Sequence, residues 1–282
     1  MDENKQTVAV LGLGLIGSVW AKHLEYDGLL TAAWNRTEKT SLPRWVESPS
    51  MAARKANVLI VVVADPSAVE SVISGMLPSL TSKHLVIQSS TIGPEDSARM
   101  RALVEASGAR YLEAPFTGSR PAAEARKTIF YLGGDAEVAA MAEPVLSHIS
   151  AQRIRIGTGE QACAIKLAMN LQIATQAEAL CEAIYLTRRA GIRDDTFFEC
   201  MKGNASWSGL SALKEPKLRA NDYDPQFSVK HLLKDLRLLE RHTGTLPSLT
   251  MMIRQLEAAT DAGRQDKDFI SLYQNLENKA PE

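Results

Sequence analysis

The sequence predicts an α/β protein: an N-terminal doubly wound sheet followed by an all-α C-terminal domain built on one long helix. Three observations carry this expectation. Apolar strand-like runs alternate with helix-like stretches through the first half, the pattern of a sheet covered by helices on both faces. A Gly-x-Gly-x-x-Gly turn joins the first strand to the first helix. From residue 160 to 190 the chain holds neither Gly nor Pro, and Gly191 stands where a helix C-cap belongs.

The elements follow in order. Thr7 to Leu11 is a buried strand running into Gly12-Leu13-Gly14-Leu15-Ile16-Gly17. Gly12 permits the tight turn, Gly14 lets backbone amides approach a pyrophosphate, and Gly17 lets the helix pack close to the strand. A helix at 18–24 and a second strand at 29–34 complete the unit. The continuous apolar run 58–64 is a central strand, and Pro66 opens a helix at 67–76. Strands are expected at 85–88, 110–113, 129–132 and 153–156, with helices at 95–107 and 136–146. The long helix from 160 to 190 spans roughly 45 Å at a rise of about 1.5 Å per residue. It reads as apolar nearly all round and is expected to be buried along most of its length. Further helices are expected at 194–202, 207–213, 228–242 and 247–262. The predicted domains are 1–158 and 159–282.

Composition narrows the function classes. The 282 residues are 45% hydrophobic and 23% charged, with net charge −1, so nothing points to nucleic acid or to a membrane surface. Cys163, Cys181 and Cys200 are widely spaced with no metal-like pattern, which suits reduced thiols and a cytoplasmic protein. The polar N-terminus does not read as a signal peptide. The most apolar long stretch, 162–186, is interrupted by Lys166, Asn170, Gln172, Gln176, Glu178 and Glu182, which speaks against a transmembrane helix.

The end of the second strand selects the dinucleotide. An NAD site usually carries Asp or Glu about 20 residues past the glycines to hold the ribose 2′-hydroxyl. Here the chain reads Asn35-Arg36-Thr37. A guanidinium grips a 2′-phosphate that a carboxylate would repel, which favours NADP over NAD.

Three further segments carry possible chemistry. Lys166 lies among Ala162, Cys163, Ala164, Ile165 and Leu167, with Asn170 four residues on and therefore on the same helix face. Such a lysine either snorkels to water or is partly desolvated and able to exchange a proton near neutral pH. Residues 113–123 read as a strand end and a turn presenting Thr117, Gly118 and Ser119, equally a hydroxyl-rich surface turn or a carboxylate cradle. In 227–237, Lys230, Lys234 and Arg237 fall at helical spacing with His231 and Asp235 alongside, a pattern that composition alone reads as a solvated face. His231 has no partner at metal-ligand spacing, and no metal is expected.

In this order behind the glycine turn, these segments resemble the β-hydroxyacid dehydrogenase family. Gly12-Leu13-Gly14-Leu15-Ile16-Gly17 resembles its opening motif, and Ser90-Thr91 with Pro94 resembles its S-T-x-x-P loop. Ala114 to Ser119 looks like its substrate loop, Lys166 with Asn170 its K-x-x-x-N motif, and Lys234-Asp235-Leu236 its K-D-L. Asp266-Lys267-Asp268-Phe269 resembles its C-terminal stretch. Thr117-Gly118-Ser119-Arg120-Pro121 and Pro225 to His231 are closest to the glyoxylate/succinic semialdehyde reductase branch, which uses NADPH.

The resemblance implies a Rossmann-type N-terminal domain and an NADPH-dependent reductase of a small carboxylate-bearing aldehyde or hydroxy acid. Lys166 would be the general acid and Asn170 would position it or the substrate oxygen. Thr117, Gly118, Ser119, Phe227, His231 and Asp235 would serve the substrate. Gly12, Gly14, Leu15, Ile16, Gly17, Asn35, Arg36, Thr37, Val63, Ala64, Thr91 and Lys234 would serve the cofactor. A homodimer or homotetramer is expected from the apolar surface of the long helix. The chain departs from the family in four places. Thr117 stands where most members carry Ser, and Arg126-Lys127 replaces a Gly-Thr-like pair. A glycine common before the catalytic helix is Glu160 or Ala162 here. The stretch from Asn35 to Pro49 is short, so the helix after the second strand should be truncated or missing.

Overall fold

In a computed structural model, residues 6–39, 41–42 and 44–277 are described. They form two compact units, 1–166 and 167–282. The division falls inside the long helix, because its first turns belong to the core of the N-terminal unit: Cys163 is 1% exposed and packs with the residues of the sheet.

The N-terminal unit is built on β1 (Val8–Leu11), β2 (Leu30–Trp34), β3 (Val58–Val61), β4 (Leu85–Gln88), β5 (Arg110–Glu113), β6 (Phe116–Thr117), β7 (Thr128–Gly133) and β8 (Ser150–Gly157). The sheet order is β2-β1-β3-β4-β5-β7-β6, with β8 on β7. The first five strands are parallel, as expected. The far edge differs: β7 runs antiparallel to β5 and β6. The two-residue β6 and the short α5 (Arg120–Glu124), both absent from the sequence reading, turn the chain back on itself there. Alternate residues of β1 feed opposite faces, Val8 and Val10 into one core and Ala9 and Leu11 into the other.

α1 (Gly17–Tyr26), α2 (Pro49–Lys55), α3 (Pro66–Met76), α4 (Pro94–Ala106) and α6 (Ala136–Leu146) cover these faces. α2 is a seven-residue stub opened by Ser48, whose side chain accepts from the Met51 amide at 3.2 Å. No other helix lies among the described residues between β2 and α2, in keeping with the shortened segment. Arg126 takes a left-handed φ of 55°, the reason a glycine-like residue suits its place. Its guanidinium offsets that strain by a bidentate pair with Asp27, at 2.5 and 3.1 Å.

α7 (Gly159–Arg189) is one 31-residue helix. It is not buried all round. Ala174, Ala177, Cys181 and Ile184 are buried, whereas Gln172, Gln176, Ala179, Glu182 and Leu186 are exposed, with Leu186 69% so. Of the polar residues that break up its apolar run, Gln172, Gln176 and Glu182 face outward, Lys166 is half-buried, and Asn170 and Glu178 are buried. The C-terminal unit packs the later turns of α7 with α8 (Asp194–Lys202), α9 (Gly209–Ala220), α10 (Val229–Thr243), α11 (Pro247–Asp261) and α12 (Tyr273–Glu277) around one core. A 3-10 turn at Phe269–Leu272, missed in the sequence, is tied down by Asp268. Among the described residues no helix is long and apolar enough to cross a membrane.

Candidate active site

The glycine turn lies where the sheet order reverses, between β1 and β3, the place where open α/β sheets bind ligands. Gly12 has φ 107°, and a Cβ there would lie 2.1 Å from the Val62 carbonyl oxygen. A Cβ on Gly17 would lie 1.9 Å from the Gly12 carbonyl oxygen. Both glycines are therefore demanded by the fold. Gly14 is different, since a Cβ there would meet no protein atom within 4 Å. Its smallness serves whatever approaches from outside. The amides of Leu15 and Ile16, at the entry to α1, meet no acceptor among the described residues. This open cradle of amides at a helix N-terminus fits a pyrophosphate.

At the end of β2 the three predicted residues divide. Asn35 is a clamp: its Oδ1 accepts from the Leu13 amide at 3.0 Å and its Nδ2 donates to the Thr37 carbonyl at 2.8 Å. Arg36 and Thr37 are exposed. Lys39, which the sequence reading missed, donates to the Leu13 carbonyl at 2.6 Å and so places a cation beside the glycine turn. The signal for it was a lysine three residues past Arg36 in a shortened loop.

The ends of β3, β4 and β6 carry the next group. The Val63 amide donates to Ser90 Oγ at 2.8 Å, joining the residues after β3 to the Ser90-Thr91 loop. Ser90 is buried, Thr91 half-buried and Ala64 exposed. Gly118 has φ 133° beside Thr117. Lys166 is half-buried, with Nζ 6.0 Å from the Phe116 ring centroid. The fold thus brings the lysine beside the residue preceding Thr117. Phe116 in turn packs edge-on to Trp20 of α1 at 4.9 Å.

Within the C-terminal unit, Asn170 is 1% exposed and donates Nδ2 to Asp235 Oδ2 at 2.6 Å. Asp235 is 3% exposed, and Lys234 Nζ lies 2.8 Å from its other oxygen. The solvated-face reading therefore fails for Asp235. It sits on the apolar side of α10 with Leu232 and Leu236 because it has two polar partners there. His231 is tied to Ser228 Oγ at 2.7 Å. Burial, and then the charges of Lys234 and Lys230, hold its imidazole below the usual range and so neutral at pH 7. Phe227 is half-buried and stacks edge-on to Phe269 at 5.9 Å. The Phe227 and Gln226 amides both donate to Asp268, itself paired with buried Lys214 at 2.8 Å. Asp268 and Lys214 are thus supports that sequence reasoning missed. The C-terminal unit also has a hollow of about 350 Å³ lined by Gln176, Phe197, Cys200 and Met201, none of them a predicted site residue.

Comparison with known proteins adds the following. Residues 7–159 match the family model for the NAD binding domain of 6-phosphogluconate dehydrogenase. Residues 159–276 match the model for the NAD-binding region of NADP-dependent 3-hydroxyisobutyrate dehydrogenase. An uncharacterized oxidoreductase of Synechocystis is 31% identical over 88% of this chain and 90% of its own. Glyoxylate/succinic semialdehyde reductase 1 of Arabidopsis thaliana is 25% identical over 95% of this chain and 97% of its own. The solved 3-hydroxyisobutyrate dehydrogenase of Mycobacterium tuberculosis, studied with L-serine, superimposes with a TM-score of 0.87 at 26% identity. That superposition covers 98% of this chain and 99% of the other.

Proposed function

Because the chain belongs to the β-hydroxyacid dehydrogenase family, NAD(P)-dependent oxidoreductases acting on CH–OH groups, we propose that it is an NADPH-dependent reductase of small aldehyde or keto acids. Succinic semialdehyde and glyoxylate are the substrate types favoured. The carrying observation is Lys166, one helical turn before an asparagine that is buried and held by Asp235. The likeness to the Arabidopsis reductase supports this substrate class.

The pyrophosphate is held by the amides at Gly14, Leu15 and Ile16, with Gly12 and Gly17 shaping the turn. Arg36, with Thr37 beside it and Lys39 close by, favours a 2′-phosphate over a bare ribose. Asn35 keeps that corner in register with the glycine turn. Val63, Ala64 and Thr91 line the nicotinamide side, and Lys234 serves the same cofactor. When bound, NADPH supplies the hydride that reduces the carbonyl carbon.

The chain's own groups handle the substrate and the proton. The Thr117 and Ser119 hydroxyls and the amides around Gly118 hold the substrate carboxylate. Lys166 gives a proton from Nζ to the carbonyl oxygen as charge develops there, and recovers one from water. Asn170 offers Oδ1 to orient the ammonium, its Nδ2 being fixed on Asp235. Phe227 and neutral His231 shape the substrate's surroundings. In reverse, neutral Lys166 takes the alcohol proton of a hydroxy acid. The likeness to the Mycobacterium enzyme favours testing 3-hydroxyisobutyrate in that direction, with tartronate semialdehyde as a further aldehyde acid.

The test follows NADPH absorbance with succinic semialdehyde, glyoxylate and a cyclic imine. Wild type should reduce an aldehyde acid, prefer NADPH to NADH and leave the imine untouched. Lys166→Ala should lose about 10²- to 10⁴-fold in kcat, the range of general acid catalysis. Unchanged aldehyde reduction in that variant would sink the mechanism. Tight NADPH binding with no turnover of anything would instead mark a nucleotide-binding scaffold.

A further inference from the structure

Glu113 closes β5 and is fully buried, yet no step above uses it. Its carboxylate accepts from three side chains: Gln88 Nε2 at 2.7 Å, Ser97 Oγ at 2.6 Å and the Tyr111 hydroxyl at 2.7 Å. The Cys163 thiol faces it from α7 and is kept protonated by burial and by the carboxylate itself. Gly159 leaves room for the arrangement, since a Cβ there would stand 3.0 Å from Ser97 Oγ and 3.2 Å from Glu113 Cβ.

Gln88 carries the connection onward. The nitrogen that reaches Glu113 also donates to the Ser90 carbonyl at 2.9 Å, while Gln88 Oε1 accepts from the Ser90 amide at 2.6 Å. Ser90 Oγ then accepts from the Val63 amide at 2.8 Å. A continuous chain of bonds therefore runs from the end of β5 through β4 to the residues after β3. Its outer members are neighbours of Thr91 and Ala64. An amide side chain can sit in that position two ways round, and only one of them satisfies the Ser90 peptide. Ser97 and Tyr111 occupy the other oxygen, so the Glu113 oxygen facing Gln88 accepts whether or not the group carries a proton, and it fixes which end of Gln88 is the nitrogen.

We propose that Glu113 is a positioning residue: through Gln88 it fixes the Ser90-Thr91 loop and the Val63 amide, and with them the surface against which the nicotinamide is held. The proposal rests on the cofactor reading above, but its first test does not. In Glu113→Gln, the new carbonyl accepts from Gln88 and the new amide donates to the Ser97 and Tyr111 hydroxyls, which can accept, so the chain survives. In Glu113→Leu the volume is filled and the acceptor is gone.

Amide hydrogen exchange of the cofactor-free protein reads the result at Val63 and Ser90. Glu113→Leu should speed both amides about tenfold or more relative to wild type, while Glu113→Gln leaves them within about twofold. Kinetics with an aldehyde acid should show kcat falling about tenfold in Glu113→Leu, with the substrate KM within about twofold, and recovery in Glu113→Gln. Ser90→Ala, which keeps the carboxylate and cuts only the last link, should speed Val63 alone; it serves if Glu113→Leu does not fold. Unchanged protection of both amides in a folded Glu113→Leu, or equal loosening in Glu113→Gln, overturns the proposal. A wild type that binds NADPH but reduces no aldehyde acid would instead overturn the functional reading, and the exchange test would still stand.

Discussion

Two buried carboxylates, Asp235 and Glu113, differ in the company they keep. Asp235 has a lysine ammonium at 2.8 Å, whereas the groups facing Glu113 are the neutral side chains of Gln88, Ser97, Tyr111 and Cys163. Burial without a cation pushes the Glu113 carboxyl up to about 7, against the opposing pull of its hydrogen bonds. The folded-state value thus lies above the unfolded one. The stability contribution of the protonated group is complete below about pH 4.5 and is lost as pH rises through about 7. Glu113→Gln, which cannot ionise, escapes that loss. Its stability relative to wild type should rise by about 2 kcal/mol between pH 5 and pH 8, at about 1.4 kcal/mol per tenfold change in proton affinity. Urea unfolding of both proteins at the two pH values measures the difference. A pH-independent gap would show that Glu113 titrates as it does in the unfolded chain.

At the scale of the element, the glycine turn separates what the fold needs from what a ligand needs. Gly17→Ala drives a methyl into the Gly12 carbonyl, 1.9 Å away, and should cost more than about 2 kcal/mol in stability. Gly14→Ala meets no protein atom within 4 Å, so its melting temperature should stay near wild type while NADPH affinity falls about tenfold. Thermal melts and fluorescence titration check the pair. Wild-type NADPH affinity in Gly14→Ala would move the pyrophosphate away from this turn. The turn was legible because its logic is local: three glycines, a β-branched strand before and a helix after. The same holds for β3, a continuous apolar run, and for α3, opened by Pro66. What escaped depends on partners far along the chain. Asp235 looks solvated until Asn170, 65 residues away, meets it. The hold of Asn35 on the Leu13 amide, 22 residues back, and the pairing of Asp268 with Lys214, 54 residues away, likewise leave no local mark in the sequence. The antiparallel far edge was hidden for a related reason, since a two-residue strand has no period to read.

For the whole molecule, the distribution of exposed apolar side chains bears on assembly. Leu186, Ile192, Leu213, Leu246 and Met251, between 38 and 69% exposed, all belong to the C-terminal unit. Leu186 stands on α7, and it and its neighbours on the outward strip, Ala179 and Glu182, leave a continuous face of a long helix uncovered among the described residues. A net charge of −1 gives two copies little reason to repel. The homodimer or homotetramer expected from the sequence should therefore form through this unit, by a self-complementary patch. Light scattering should give at least twice the 30.8 kDa chain mass at micromolar concentration. Leu186→Glu should lower that mass toward the monomer, because it replaces the strip's most exposed apolar side chain with a second carboxylate one turn from Glu182, adding like-charge repulsion and desolvation cost. Tyr26→Glu provides the control, for Tyr26 is 87% exposed but belongs to the N-terminal unit. Its assembly should be unchanged. A monomeric wild type would remove the assembly, whereas a dimer broken by Tyr26→Glu and spared by Leu186→Glu would move the interface to the nucleotide-binding unit.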